Sequence, residues 1–80
     1  MNDDLKIFAE NLKLLRDERG YTLRDLAIKT GISKSMLQKY ETGTSDPTLR
    51  KVKILADIYN VSINWLIREP PIGRLKKAAQ

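Results

Sequence analysis

The chain has no cysteine and no histidine among its 80 residues. Without cysteine there is no disulfide framework, so stability has to come from packing, and a cytoplasmic setting is the natural expectation. Without either residue the commonest nucleophiles, general bases and soft metal ligands are missing. No glycine-rich phosphate loop and no carboxylate pair that helices would bring to one cleft takes their place. The sequence therefore argues against an enzyme and offers no metal site, no cofactor and no evident small-molecule ligand. Long apolar runs are absent too: nothing approaches the roughly 18 residues of a membrane span. The amino end, MNDDLKIF, carries acids where a signal peptide carries bases, so no membrane partner is expected.

What is present suits one small domain with a single core. The charged fraction is 31% and the apolar fraction 41%, ordinary enough to exclude wholesale disorder. The net charge of +5 is unevenly spread. Residues 21–53 hold seven bases (Arg24, Lys29, Lys34, Lys39, Arg50, Lys51, Lys53) against three acids (Asp25, Glu41, Asp46), whereas residues 1–20 have more acids than bases. Positive charge gathers in the middle and in the last stretch, IGRLKKAAQ, and favours a polyanionic partner.

The basic middle contains LRDLAIKTGISKSMLQKYET, residues 23–42. Its apolar positions form two short helical patterns on either side of Gly31: Leu23, Leu26 and Ala27, then Ile32, Met36, Leu37 and Tyr40. Gly31 can take positive φ as the first of these ends, and Ser33 can cap the next. Two helices joined by a tight turn are the outline of a helix-turn-helix.

Around this pair the chain predicts three further helices. The first starts at Asn2 or Asp3 and stops at Gly20, with Leu5, Phe8, Ala9, Leu12 and Leu15 as its core face. Ile7 and Leu14 fall on the other side, where cover by the tail, a protein contact or simple surface scatter would account for them. Thr22 and Asp25 form a capping box, with Tyr21 stapled on Leu26. Ile32 with Leu37, and Val61 with Leu66, repeat the staple around Ser33 and Ser62. A fourth helix, Leu49–Tyr59, is capped by Thr48 and closed by Asn60, with Leu49, Val52, Leu55, Ala56 and Tyr59 on one face. The fifth runs from Ile63 to Arg68 before Pro70 and Pro71. The expected fold is all-α, a compact five-helix bundle spanning residues 1–69, with 70–80 as a basic tail or truncated linker.

The ordered set Leu12, Leu15 and Arg16; Leu26, Ala27 and Gly31; Ile32, Ser33 and Leu37; Glu41 and Gly43; Pro47; and NVSINWL resembles the Xre, Cro and lambda-repressor type of helix-turn-helix domain over residues 5–67. The resemblance implies a sequence-specific double-stranded DNA-binding regulator, a repressor, that places residues 33–42 in the major groove. By helical angle, Lys34, Ser35, Gln38, Lys39 and Thr42 lie on the arc left over by Met36, Leu37 and Tyr40. Lys34, Ser35, Gln38 and Lys39 are the candidate base readers: glutamine can pair with adenine and lysine can donate to guanine. Phosphates would be met by the free amides near Leu23 and Arg24, by Thr42 and Thr44, and by Arg50 and Lys51. The family commonly has glutamine at the position of Leu23, and leucine cannot reach a phosphate. Arg24 or Lys29 would stand in, and with a neutral Thr42 and an acidic Asp46 the expected affinity per monomer is modest.

The resemblance further implies that Glu41 pairs with Arg16 as a structural tether; a carboxylate reading cytosine would be repelled by nearby phosphates. One domain of this size reads few base pairs, so a homodimer on a pseudo-palindrome is expected. By resemblance its interface is the end of helix four with helix five, drawing on Ile58, Val61, Ile63, Trp65 and Ile67. The alternative is a protein-binding module, such as an antitoxin or adaptor, on the same fold.

Overall fold

Each helix after the first begins with a hydroxyl that accepts a backbone amide, as the cap residues predict. The computed structural model describes residues 3–68, which form α1 (Asp3–Arg19), α2 (Leu23–Thr30), α3 (Lys34–Thr42), α4 (Leu49–Tyr59) and α5 (Ile63–Ile67). The Asn2 cap, the domain boundary at residue 69 and the basic tail at 70–80 lie outside the described residues.

The Asp25 amide donates to Thr22 Oγ1 at 3.0 Å and the Thr22 amide donates back to Asp25 Oδ2 at 3.0 Å, which completes the capping box. Ser33, Thr48 and Ser62 accept from the amides of Met36, Lys51 and Trp65. Gly31 ends α2 at φ 75°, a left-handed conformation that costs a side chain with Cβ, and Asn60 ends α4 at φ 55°.

The core is the meeting of these apolar stripes. Phe8, Leu12 and Leu15 of α1 join Leu26, Ile32, Leu37, Tyr40, Val52, Leu55, Ala56, Tyr59 and Leu66 in one buried cluster. Helix α1 is the central support, packing against both α3 and α5, while α2 contacts α3 and α4.

Three expectations are corrected in detail. Leu49, assigned to the core face of α4, is 73% exposed. Its angle matches Ala56, but it is the first residue of the helix, a turn beyond the last core neighbour. Helix α5 stops at Ile67, and Arg68 is already extended at φ −104° and ψ 152°. Ile7 and Leu14 are half-buried. They flank Asn11, which donates to the carbonyl end of α5, at helical spacing on α1.

Candidate nucleic-acid interface

Helix α3 divides cleanly between scaffold and solvent. Leu37 and Tyr40 are buried and Met36 is half-buried, with Tyr40 meeting Phe8 edge to face at 6.3 Å between ring centres. Lys34, Ser35, Gln38, Lys39 and Thr42 are all exposed. The four candidate base readers thus share one polar wall that bears two lysines, and 3.6-residue periodicity alone explains why they converge.

Glu41 sits at the border of the two faces. Arg16 Nε donates to Glu41 Oε2 at 2.7 Å and Arg16 Nη2 donates to Oε1 at 3.0 Å, the two-pronged arrangement a guanidinium favours with a carboxylate. The hydrogen bond to Glu41 raises the Arg16 pKa above its already high ordinary value, against the opposing effect of burial. Arg16 Nη1 also donates to the Tyr21 carbonyl, so one side chain joins α1, the start of α2 and the end of α3.

The candidate phosphate contacts differ among themselves. The Leu23 side chain is half-buried against the core, so only its amide is available. That amide and the one of Arg24 stand in the first turn of α2, where no carbonyl four residues back can accept them. Arg24 and Arg50 are exposed and Lys51 is half-buried. The Thr42 hydroxyl lies 3.0 Å from the Gln38 carbonyl and 3.0 Å from the Thr44 hydroxyl, which in turn is 3.3 Å from the Lys39 carbonyl. Both hydroxyls are already engaged with the carboxyl end of α3, and a phosphate there has to displace an existing bond. Lys29 Nζ rests 5.1 Å from the centre of the Tyr21 ring, which holds it as a cation over an aromatic face.

Of the candidate dimer residues, Ile58, Val61, Ile63 and Trp65 are half-buried against the core, and Ile67 is 46% exposed. Sequence reasoning missed Asn11, which is fully buried and donates from Nδ2 to the carbonyls of Leu66 and Arg68 at 2.8 and 2.9 Å. Its signal was an amide set between Ile7 and Leu14 on an otherwise apolar strip. Arg19 was missed as well: Nη2 donates to the Tyr59 carbonyl at 2.8 Å. Among the described residues no helix is long and apolar enough to cross a membrane, and no cluster of acids could hold a metal ion. A cleft of about 140 Å³ lined by Asp4, Leu5, Phe8, Asp46, Pro47, Val52 and Ile67 includes none of the candidate DNA contacts.

Residues 12–66, which hold the turn, the outward wall of α3 and its tether, match the helix-turn-helix family HTH_3. The chain belongs to this family. It is 36% identical over 70 residues to the HTH-type transcriptional regulator SutR of Escherichia coli strain K12, covering 88% of this chain and 39% of SutR. It is also 36% identical over 61 residues to an uncharacterized HTH-type transcriptional regulator, YobD of Bacillus subtilis strain 168, covering 76% of this chain and 54% of YobD. The chain therefore spans about half the length or less of these curated relatives. Among solved structures, an HTH_3 family transcriptional regulator from Vibrio cholerae superposes with a TM-score of 0.72 at 35% identity, over 78% of this chain and 35% of that one. The restriction-modification controller protein C.AhdI from Aeromonas hydrophila superposes with a TM-score of 0.75 at 26% identity, over 81% of this chain and 98% of that one. Both curated relatives are named HTH-type transcriptional regulators.

Proposed function

We propose that this HTH_3 domain binds a pseudo-palindromic operator in double-stranded DNA as a dimer and represses transcription from the cytoplasm. The observation that carries the reading is the outward wall of α3: Lys34, Ser35, Gln38 and Lys39 are exposed together on a helix whose other face is buried and tied to α1. A polar helix face held by a rigid scaffold is what a major groove accepts. Base reading falls to Lys34, Ser35, Gln38 and Lys39. Phosphate positioning falls to the amides of Leu23 and Arg24 and to the side chains of Arg24, Arg50 and Lys51, with Thr42 and Thr44 contributing only if their internal bonds open. The exposed parts of Ile58, Val61, Ile63, Trp65 and Ile67 form the dimer contact.

Selection of bound sequences from random duplex DNA tests this directly. A palindromic consensus is expected, with affinity falling steeply as salt rises because each neutralised phosphate releases counterions. No enrichment over background overturns the reading. Apolar surface remains outside the groove face, notably Ile28 at 76% exposure, and it favours a second reading in which the domain docks on a protein. Such a contact responds weakly to salt, which separates the two.

A further inference from the structure

We infer that Asn11 is the positioning residue that sets where α5 lies and so, through α5, the spacing at which two copies of this chain engage DNA. The inference rests on the dimeric operator reading above. Asn11 is fully buried, and among the described residues it is the polar side chain in the core. A buried amide is costly unless its hydrogens are used, and a leucine would fill similar space at no such cost. Here both hydrogens are used on one target: Nδ2 donates to the carbonyls of Leu66 at 2.8 Å and Arg68 at 2.9 Å, with the Trp65 carbonyl at 3.3 Å. These are the last carbonyls of α5 and the first beyond it, groups that a helix cannot satisfy by itself.

Helix α5 depends on this anchor more than the other helices do on theirs. It has five residues, too few to be stable alone, and the Leu66 amide reaches the Ser62 carbonyl only at 3.4 Å. Helices α2, α3 and α4 close on left-handed residues, Gly31, Gly43 and Asn60, whose amides satisfy their own carbonyls. Helix α5 instead runs into an extended Arg68, and its end is defined from α1. The same helix carries Arg16, which ties down α3. Asn11 and Arg16 are five residues apart, about 7.5 Å along one rigid axis. Through them α1 registers the reading helix against the dimer helix, the kind of single-arrangement role for which buried polar groups are best suited.

The binding test uses two duplexes, one with both half-sites enriched by the wild-type chain from random DNA and one with a half-site scrambled; a third carries one base pair inserted between the half-sites. Asn11→Leu is expected to bind the half-site duplex within about threefold of wild type, yet to lose about tenfold in cooperativity on the full site. It should also tolerate an inserted base pair between half-sites that wild type rejects. Emission from Trp65, the only tryptophan, should shift as α5 moves. If circular dichroism shows Asn11→Leu unfolded, Asn11→Ser, whose shorter side chain cannot span the carbonyls, is measured in its place with the same expectation. Wild-type cooperativity and spacing preference in the folded variant overturn the positioning role alone. Equal losses on both duplexes also overturn it, since they mark a general loss of fold. Failure of the wild-type chain itself to bind the full site cooperatively overturns the dimeric reading and this inference together.

Discussion

Arg16 and Glu41 meet through two parallel hydrogen bonds, Nε to Oε2 at 2.7 Å and Nη2 to Oε1 at 3.0 Å, with the two side chains only 18% and 8% exposed. The pair is shielded enough that neither charge is well solvated once the other is removed. Arg16→Ala should destabilise the fold by about 3 kcal/mol, lowering Tm by roughly 12–24 °C. Arg16→Lys keeps the charge but not the fork and should fall between. An unchanged melting temperature for Arg16→Ala would show that the pair is no tether.

Tyr59 is fully buried, and among the described residues its hydroxyl has no hydrogen-bond partner. Tyr59→Phe removes that oxygen, keeps the ring stacked beside Tyr21, and should raise stability by about 1 kcal/mol at neutral pH. Burial pushes the Tyr59 pKa from 10.0 up to about 12. The folded state thus holds the proton more tightly than the unfolded one. That advantage is complete below pH 10 and is lost as pH rises toward 12. Thermal scans in this range should show wild type losing stability faster than Tyr59→Phe; a variant that melts well below wild type at pH 7 contradicts the account.

The Asp25 carboxylate is held below the usual range, first by the Thr22 amide it accepts and then by the Thr22 hydroxyl contact. A lowered folded pKa contributes stability above the ordinary value of 3.8 that fades as pH falls through the folded one. The Tm of wild type should therefore drop between pH 5 and pH 2 more than that of Asp25→Asn. Parallel pH curves would remove the charged capping box from the account of α2.

Gln38 lies exposed in the middle of the outward wall of α3, and under the proposed function a glutamine there pairs with one adenine. Gln38→Ala should cost about 1–3 kcal/mol on the preferred duplex and relax preference at one position in each half-site. Repeating the random-duplex selection with the variant shows which. Uniform weakening across all sequences assigns Gln38 to positioning instead.

The starts of α2 to α5 and the ends of α2 and α4 were legible because each carries its own local device. Thr22 with Asp25, Ser33, Thr48 and Ser62 start helices through bonds spanning three residues, and Gly31 and Asn60 end them through a backbone conformation. The outward face of α3 was legible for the same reason: helical angle alone separates the exposed Lys34, Ser35, Gln38 and Lys39 from the buried Leu37 and Tyr40. Leu49 was misplaced because angle does not say how far the neighbouring layer extends along an axis. The resting places of Lys29 on Tyr21 and of the Thr42 and Thr44 hydroxyls on α3 carbonyls depend on rotamers, which periodicity does not encode.

By itself, then, the sequence determined five helices, the hydroxyl caps that start α2 to α5 and the outward face of α3, since these follow from interactions within three or four residues along the chain. Only the tertiary structure decided what anchors them. Asn11 reads in the sequence as one more helix residue, yet it meets carbonyls 54 to 57 positions away. Arg19, an end-of-helix base, meets Tyr59 forty positions on. The physical reason is that a hydrogen bond to a distant backbone carbonyl leaves no pattern in side-chain spacing: any residue offers that carbonyl, and only the packing of α1 against α5 and the reach of Arg19 to the end of α4 select which one.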